Sequence, residues 1–318
     1  MVFTKFLNRL KLLISKRKVK KIVSHLPPRH LDDFLAIALL KNFYKNAEIE
    51  FIHPQEIPEE YYEDKNIILV DAGCRYEPEK KNFDHHQDKN IPCSLILVMK
   101  YFGLDINAES VKVIDYIDRF GFRATAERFG LSFNKRLNEM RMIILFSDLN
   151  KVSEIIASTF IKFYRKKSYY ELIELLYKAL ETTEYFEEAK KRAEEEIIAL
   201  KRKLSEVRLF EIEKFKVLFS EESLAPHWGK VFSKFLVDFI VEKNAMNPEQ
   251  TAIIKNTVKK NSSLIDLSKI FQKYPKVFLH PTGFMAVVNC NIKNFNIKDL
   301  SICIVKNKFI NEESKEIS

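Results

Sequence analysis

The chain has 318 residues, of which 46% are hydrophobic and 31% are charged, so it can bury a core and still present a polar surface. This composition excludes a disordered or fibrous protein, and the length corresponds to about two domains. The chain contains 53 lysines and arginines against 44 aspartates and glutamates. The resulting net charge of +9 favours a polyanionic partner, such as nucleic acid or an anionic membrane surface.

The four cysteines include no Cys-x-x-Cys pair, which argues against a disulfide scaffold and against a zinc ribbon. We therefore expect reduced thiols and a cytoplasmic protein. No run of about 18 apolar residues occurs, so we expect no membrane-spanning helix. The apolar part of the N-terminus is short, is broken by charges and precedes no small-residue cleavage site, which argues against a secretory signal.

A basic segment opens the chain. Its apolar residues recur at helical spacing with lysines between them, which predicts a basic amphipathic helix. These apolar residues are Phe3, Phe6, Leu7, Leu10 and Leu13. Such a helix either packs on its own domain with the lysines in water, or lies on nucleic acid or an anionic surface, and the sequence leaves both open.

The first half of the chain alternates between strand and helix patterns. The predicted elements are, in chain order, a strand at 20–25, a helix at 32–45, strands at 47–53 and 66–73, and helices at 93–102 and 109–119. The run at 66–73 is apolar throughout, which is typical of a strand covered on both faces of a parallel sheet. The order predicts an α/β domain whose mostly parallel sheet is flanked by helices.

The remainder of the chain shows two different sequence patterns. Residues 131–206 show helical periodicity throughout, which predicts a helical connector. Residues 207–318 predict a smaller C-terminal α/β domain, with one or two strands near its start, a helix at 229–243, and strands at 276–280 and 284–290. We therefore expect three parts with boundaries near 130 and 206.

Histidines and acids lie together at four places in the first half. They are His25 with His30, Asp32 and Asp33; Asp71; Asp84 with His85 and His86; and Asp115 with Asp118. The first group follows a predicted strand and Asp71 ends another, so both are expected at the carboxyl edge of the sheet, where ligands bind. Imidazole nitrogen together with carboxylate oxygen suits manganese better than magnesium. Two cations bridged by one carboxylate, Asp71, can stabilise an in-line phosphoryl displacement.

Each group taken alone has an ordinary structural explanation. A histidine at a strand end is commonly a surface or capping residue, and Asp32 with Asp33 could simply cap a helix. Asp-His-His alone is a three-letter match. The ordered set is more specific, because His-x4-His-x-Asp, a strand-end Asp, Asp-His-His and a helical Asp follow one another. The set as a whole favours a metal site.

This ordered set resembles the DHH phosphoesterase superfamily and, within it, the melanocyte-proliferating-gene exonuclease family. The matching segments are SHLPPRHLDDFLAIALL, DAGCRYEPEKKNFDHHQ, DYIDRFG and, near the C-terminus, HPTGF at 280–284. The motifs cover about residues 20–120 and 276–288. The resemblance implies a metal-binding catalytic domain at 1–130 and a substrate-binding domain at 207–318 that closes over the active-site cleft.

The resemblance also implies roles for individual residues. One divalent cation, most simply Mn²⁺ and alternatively Mg²⁺, would take His25, His30 and Asp71, and a second would take Asp32, Asp71, His85 and Asp118, with Asp115 as the alternative to Asp118. His86 would face the scissile phosphate and share the catalytic role with Asp33. In the second domain, His280, Thr282 and the backbone around Gly283 would bind a substrate phosphate. Arg29 and Arg75, which add positive charge near the metals, are our further candidates for substrate binding.

The chain departs from the family pattern near the predicted metals. Leu-Pro-Pro-Arg stands where the family has Asn-Gly-Thr-Phe, and the two prolines stiffen that loop. Asp33 replaces the family's glutamate, and Thr282 replaces its serine. No proposed ligand is lost, so the departures bear on the choice of substrate.

Three functions remain open at this stage. The first is a metal-dependent phosphodiesterase, namely an exonuclease that degrades RNA or another single strand with a hydroxide activated by two metals. The second is a small-molecule phosphoesterase or pyrophosphatase with the same site. The third is a non-catalytic RNA- or membrane-binding protein with a vestigial metal site. The sequence does not decide between a monomer and a homodimer.

Overall fold

The computed structural model describes residues 19–27, 29–132, 134–257 and 259–305. The chain divides into two compact units, residues 1–198 and 199–318. The predicted basic helix at the N-terminus lies outside the described residues. Within the part that is described, no helix is long and apolar enough to cross a membrane.

The first unit contains a five-stranded sheet and the helices that flank it. The strands are β1 (Lys21–His25), β2 (Glu48–Ile52), β3 (Ile67–Val70), β4 (Tyr76–Glu77) and β5 (Asn82–Phe83). The helices are α1 (Leu31–Phe43), α2 (Ser94–Tyr101), α3 (Glu109–Phe129), α4 (Lys135–Leu145), α5 (Leu149–Phe163), α6 (Tyr169–Glu181) and α7 (Phe186–Lys203), the last of which continues into the second unit. Short 3₁₀ helices span Pro54–Glu56 and Glu59–Tyr62.

The order of strands in this sheet is β2-β1-β3-β5-β4. Strands β2, β1, β3 and β5 run parallel, and β4 pairs antiparallel with β5 at one edge. This confirms the predicted α/β fold with a mostly parallel sheet. The carboxyl ends of β1, β3 and β5 therefore lie side by side at one edge.

Helix α1 lies at the centre of the first core. All its residues from Leu31 to Leu40 are buried, including Asp32 and Asp33. A helix that is apolar on nearly every side belongs inside a domain, and each large apolar side chain buried contributes about 1.5–3 kcal/mol. Its burial fixes the position of its N-terminus, which carries the two acids.

The helical middle of the chain packs on this same core. Ile144, Ile156 and Leu176, from α4, α5 and α6, join the apolar cluster that contains α1. The helices expected in 131–206 are present, and up to residue 198 they belong to the first compact unit. The domain boundaries near 130 and 206 remain predictions.

The second unit contains a six-stranded sheet of order β10-β11-β9-β8-β7-β6. Its strands are β6 (Arg208–Ile212), β7 (Phe215–Ser220), β8 (Phe239–Lys243), β9 (Thr251–Lys255), β10 (Lys276–Leu279) and β11 (Met285–Val288), with helix α8 (Trp228–Phe235) between β7 and β8. Four 3₁₀ helices complete the described part, at Lys260–Leu264, Leu267–Gln272, Ile292–Asn294 and Ile297–Cys303. Only β7 and β8 pair in parallel.

The prediction of a helix at 229–243 is wrong for the second half of that range. Helix α8 ends at Phe235, Leu236 adopts a left-handed conformation with φ of 52°, and 239–243 forms β8. Neighbouring strands decide this outcome, because β8 lies between β7 and β9 and its backbone hydrogen bonds are made to both. The β-branched and aromatic residues of FIVEK fit such a strand.

Glu242 on β8 is a buried acid. It is 1% exposed, and its carboxylate accepts hydrogen bonds from Leu224 N at 2.9 Å and from Trp228 Nε1 at 3.0 Å. Burial outweighs these hydrogen bonds and raises the pKa of Glu242 to about 7.

We expect Glu242 to make the stability of the protein depend on pH. Because its pKa is raised in the folded state, the favourable contribution is fully present below about pH 4.5 and is lost as the pH rises through about 7, with a total of roughly 3 kcal/mol. Urea unfolding of the wild type and of Glu242→Gln at several pH values measures this. The variant should lose that part of the pH dependence; identical pH profiles would show that Glu242 does not titrate in this range.

Candidate metal centre

Three parallel strands of the first sheet end in side chains that can bind a metal. His25 is the last residue of β1, Asp71 directly follows β3, and Asp84 directly follows β5. Because these strands are neighbours, the three residues come together at one sheet edge. Helix α1 adds Asp32 to this group.

Asp71 lies between two histidines. Its Oδ2 atom is 3.3 Å from His25 Nε2, and its Oδ1 atom is 3.3 Å from His85 Nε2. The side chain is 1% exposed, and its backbone has a φ of 56°, a left-handed conformation that aspartate tolerates better than most residues. Each carboxylate oxygen thus faces a different histidine, an arrangement compatible with a carboxylate shared by two cations.

The orientation of His25 is set by the backbone. Its Nδ1 atom lies 2.6 Å from the carbonyl oxygen of Leu26, so Nδ1 carries a proton and donates it to this oxygen. Nε2 therefore points at the carboxylates of Asp71 and, at 3.5 Å, of Asp33. A histidine held in this way by a carbonyl has its other nitrogen oriented for a metal.

A second group of candidate ligands lies where α1 begins and along α3. His30 Nδ1 is 3.2 Å from Asp118 Oδ1, and Asp118 Oδ2 is 3.1 Å from His85 Nε2. His30, Asp32 and Asp118 each offer a ligand atom within 4.8 Å of the other two. The structure thus groups His30 with Asp32 and Asp118, whereas the resemblance assigned it to the other ion. The assignment of ligands to individual ions remains a prediction.

Both carboxylate oxygens of Asp32 are buried and find no hydrogen-bond partner among the described residues. Asp33 Oδ2, His85 Nε2 and Asp118 Oδ2 are also buried, and they meet only in the imidazole–carboxylate contacts of 3.1 to 3.5 Å given above. A buried polar atom without a partner costs about 1–3 kcal/mol, so the unpartnered carboxylate of Asp32 beside these pairs is compatible with a cation site. Imidazole nitrogen and carboxylate oxygen are donors that divalent transition metals accept. The residues present therefore fit the predicted cations.

The charges of the site shift its pKa values in opposite directions. Burial and the neighbouring carboxylates of Asp118 and Asp71 raise the pKa of Asp32 well above its usual range. Burial would also raise the pKa of Asp71, but hydrogen bonds from His25 and His85 outweigh it and hold that pKa well below its usual range. Against the effect of burial, the contact with Asp71 raises the pKa of His25 to about 9, and the contacts with Asp118 and Asp71 raise that of His85 to about 12. Without a cation, protons on the histidines balance the carboxylates.

Asp115 and Asp118 have different surroundings. Asp115 Oδ1 accepts hydrogen bonds from Cys93 N at 2.8 Å and Arg119 Nε at 2.9 Å, and its other oxygen pairs with the same guanidinium. Asp118 instead faces His30 and His85. The geometry therefore favours Asp118 over Asp115 as the candidate ligand.

Asp84 joins two loops of the site, a role that the sequence analysis did not assign to it. Its Oδ1 atom accepts from His85 N at 2.6 Å, from His86 N at 3.2 Å and from His86 Nδ1 at 2.7 Å. Its Oδ2 atom accepts from Cys74 N at 2.6 Å. Both oxygens are thus used within the protein, and Asp84 positions the histidines that follow it.

Ser94 is a further contact that sequence reasoning missed. Its hydroxyl lies 2.8 Å from Asp71 Oδ1 and is fully buried at the first turn of α2. A serine 23 residues away along the chain carries no motif that links it to Asp71. Only the packing of α2 against the sheet edge reveals it.

Asp33, predicted to be catalytic, holds the loop before α1. Its Oδ1 atom accepts from His30 N and from Phe34 N, both at 2.8 Å. Burial outweighs the attraction of His25 and raises the pKa of Asp33 to about 6. These contacts make Asp33 a positioning residue for His30, and its catalytic role remains a prediction.

The two predicted substrate-binding arginines of the first unit pack on aromatic rings. Arg29 Cζ lies 4.4 Å from the centre of the Phe51 ring. Arg75 Cζ lies 3.8 Å from the centre of the Tyr62 ring, and its Nη2 atom donates to Glu59 Oε1 at 2.7 Å. Arg75 must therefore leave Glu59 or share its charge to bind a phosphate.

The turn at 280–284 in the second unit is closed by its own hydrogen bonds. Thr282 N donates to His280 Nδ1 at 3.2 Å, and Gly283 N donates to His280 O at 2.7 Å. The Thr282 hydroxyl lies 2.9 Å from the same His280 nitrogen, and Gly283 has a φ of 68°, which glycine adopts readily. A phosphate bound by these N–H groups would replace bonds that the turn already makes.

One family model matches part of the chain. Residues 21–113 match the family model MYG1_exonuc, described as "Uncharacterised protein family (UPF0160)". The match covers the segment that carries His25, His30, Asp71 and His85 and ends before Asp118. No curated protein matches the chain.

One similar solved structure is the pGpG-specific phosphodiesterase PggH from Vibrio cholerae. The two chains are 14% identical, and the alignment covers 86% of this chain and 94% of PggH with a TM-score of 0.42. We draw no functional argument from a likeness of this level.

We expect Mn²⁺ binding to release protons and to tighten as the pH rises. Because His25 and His85 have raised pKa values of about 9 and about 12, a cation must displace their protons. Affinity should rise up to about tenfold per pH unit for each proton released. Calorimetry at about pH 7 in buffers of different ionisation enthalpy counts these protons. His53→Gln, a change at a buried helix cap, is the control, and binding without proton release contradicts the site.

Asp84→Asn should loosen the site without removing a ligand. The amide has one acceptor oxygen for four donor contacts, so we expect a loss of about 1–3 kcal/mol in unfolding free energy and a 10- to 100-fold (order of magnitude) weaker Mn²⁺ affinity. Thermal unfolding and calorimetry measure the two effects. Asp88→Asn, at an exposed aspartate nearby, is the matched control. Unchanged metal affinity in Asp84→Asn would rule out the positioning role.

Proposed function

We propose that this protein is a metal-dependent phosphodiesterase, and more narrowly an exonuclease that hydrolyses RNA or another single-stranded nucleic acid. The observation that carries the proposal is Asp71, whose two oxygens face His25 and His85 separately. Both carboxylate oxygens of Asp32, which find no hydrogen-bond partner among the described residues, lie close to this arrangement. The family match over 21–113 covers most of it.

Divalent cations, when bound, would supply Lewis-acid chemistry, polarising a phosphoryl oxygen and lowering the pKa of water. His25, His30, Asp32, Asp71, His85 and Asp118 would hold them. Mn²⁺ suits this mixed nitrogen and oxygen donor set better than Mg²⁺ does.

His86 is placed to contribute positive charge. Burial opposes its protonation, but Asp84 outweighs burial and raises the pKa of His86. Because Nδ1 is bonded to Asp84, Nε2 is the nitrogen that would donate to a phosphate oxygen. An imidazolium so oriented would stabilise the charge that develops on phosphorus oxygens during displacement.

The distribution of charge supports a polyanionic substrate. Residues 199–318 contain 20 lysines and arginines against 13 aspartates and glutamates, a net charge of +7 out of +9 for the whole chain. Excess positive charge attracts a nucleic acid strand more strongly than it attracts a small phosphoanhydride, since each phosphate contact adds to the attraction. We therefore assign substrate binding to the second unit, with His280 and Thr282 as its phosphate-binding residues.

Activity should depend on Mn²⁺ and on the shared carboxylate. Asp71→Asn and His85→Gln should each lower turnover of short single-stranded RNA by roughly 100-fold or more, because each removes a candidate ligand. Asp88→Asn should keep wild-type turnover, and circular dichroism checks that each variant folds.

The same assay should include single-stranded DNA, a cyclic dinucleotide and pyrophosphate. Turnover of pyrophosphate alone would favour the small-molecule alternative. No turnover of any substrate with Mn²⁺ or Mg²⁺ would contradict a phosphodiesterase.

A further inference from the structure

The two faces of the second sheet use aromatic residues differently. One face buries phenylalanines in its core: Phe215, Phe219, Phe239 and Phe295. On the other face, every fully buried member of the apolar cluster is aliphatic. Its aromatic side chains lie at a half-buried rim, which consists of Trp228, Phe232, Phe235, Phe278 and Phe284. Covering the large surface of an aromatic ring is favourable in free energy. Because the rings of this rim are only partly buried, they leave surface that a ligand can cover.

The indole at this rim is held in one orientation. Trp228 Nε1 donates to Glu242 Oε1 at 3.0 Å, and Glu242 is itself anchored by Leu224 N. The Phe284 ring lies 6.4 Å from the indole, at an angle of 63°. A rigid aromatic side chain loses little entropy when a flat ligand stacks on it.

Phe284 connects the aromatic rim to the polar turn. Its ring lies 4.3 Å from the imidazole of His280, and its carbonyl accepts from Lys255 N at 2.8 Å on β9. Thr282, which is partly exposed and whose hydroxyl contacts His280, is two residues away. Flat apolar surface beside hydroxyl and imidazole groups, in a unit of net charge +7, matches a flat base joined to an anionic phosphate.

We propose that Trp228 and Phe284 form a stacking site for one base of a nucleotide. This inference rests on the proposed function and deepens it, because it names a nucleotide, and not pyrophosphate or another base-free phosphate, as the ligand of the second unit. Stacking accepts any base, since every base has a flat aromatic face, so the site gives affinity without sequence preference.

Trp228 is the only tryptophan of the chain, so fluorescence excited selectively in tryptophan reports on this site alone. The full-length protein is titrated in EDTA, where no hydrolysis occurs, with AMP, with a short single-stranded RNA and with ribose 5-phosphate. AMP and RNA should quench or shift the emission, whereas ribose 5-phosphate, which lacks a base, should not. Equal responses to AMP and ribose 5-phosphate, or none to either, would overturn the stacking site.

Matched variants separate stacking from general apolar contact. Phe284→Leu keeps an apolar side chain but removes the ring, and we expect AMP to bind roughly tenfold more weakly. Phe284→Met, which also removes the ring and keeps an apolar side chain, is the second rim variant, used if Phe284→Leu fails to fold. Phe210→Leu changes an exposed phenylalanine on β6 and should leave AMP affinity unchanged. Unchanged affinity in a folded rim variant, or equal weakening in Phe210→Leu, contradicts the proposal.

A base-free phosphodiester distinguishes this inference from the function on which it rests. With Mn²⁺, an abasic oligonucleotide, which has phosphodiesters but no base or other aromatic ring, should be hydrolysed equally by the wild type and by Phe284→Leu, while RNA turnover at low concentration falls in the variant. If the variant hydrolyses both substrates at wild-type rates, the stacking site is contradicted but the phosphodiesterase function is not. If AMP quenches the tryptophan fluorescence but neither substrate is hydrolysed, the stacking site is supported and the phosphodiesterase function is contradicted.

Discussion

The contact of one carboxylate with two imidazoles determines the arrangement of the whole candidate site. Asp71 can face His25 and His85 at equal distances because β3 lies between β1 and β5 in the sheet. The carboxylates of Asp32, Asp33, Asp71 and Asp84 are buried near this contact, and carboxylates buried so close together need balancing positive charge. Protons on the histidines provide that charge in the metal-free protein, and cations would provide it in the loaded one.

The sequence predicted this site because strand ends have a fixed geometry. A histidine that closes β1 and an aspartate that follows β3 must share an edge when the strands are parallel neighbours. The sequence did not predict side chains whose role depends on tertiary contacts. Nothing local distinguishes Asp118 from Asp115 until Arg119 is seen to occupy the latter, and Ser94 reaches Asp71 only because α2 packs there.

For the fold too, elements determined by local sequence patterns were predicted, and an element determined by tertiary contacts was not. Apolar runs and helical periodicity predicted most elements of the first unit to within a few residues. The helix expected across 229–243 failed where tertiary pairing overrides local pattern, since β8 needs partners that are distant in sequence. The boundary at 206 could not be tested by periodicity, because α7 itself runs from the first unit into the second.

Three residues of the candidate site lie at strand ends, and this position limits where insertions and deletions can occur in the chain. Strand β3 is four residues long and buried on both faces, so gaining or losing one residue within it would turn each following side chain to the opposite face. The connection between β2 and β3 sets no strand register, because its 3₁₀ turns cover one face of the sheet and contact the site through Arg75 alone among the predicted residues. Insertions and deletions among homologues should therefore accumulate at 53–66 and spare 67–71.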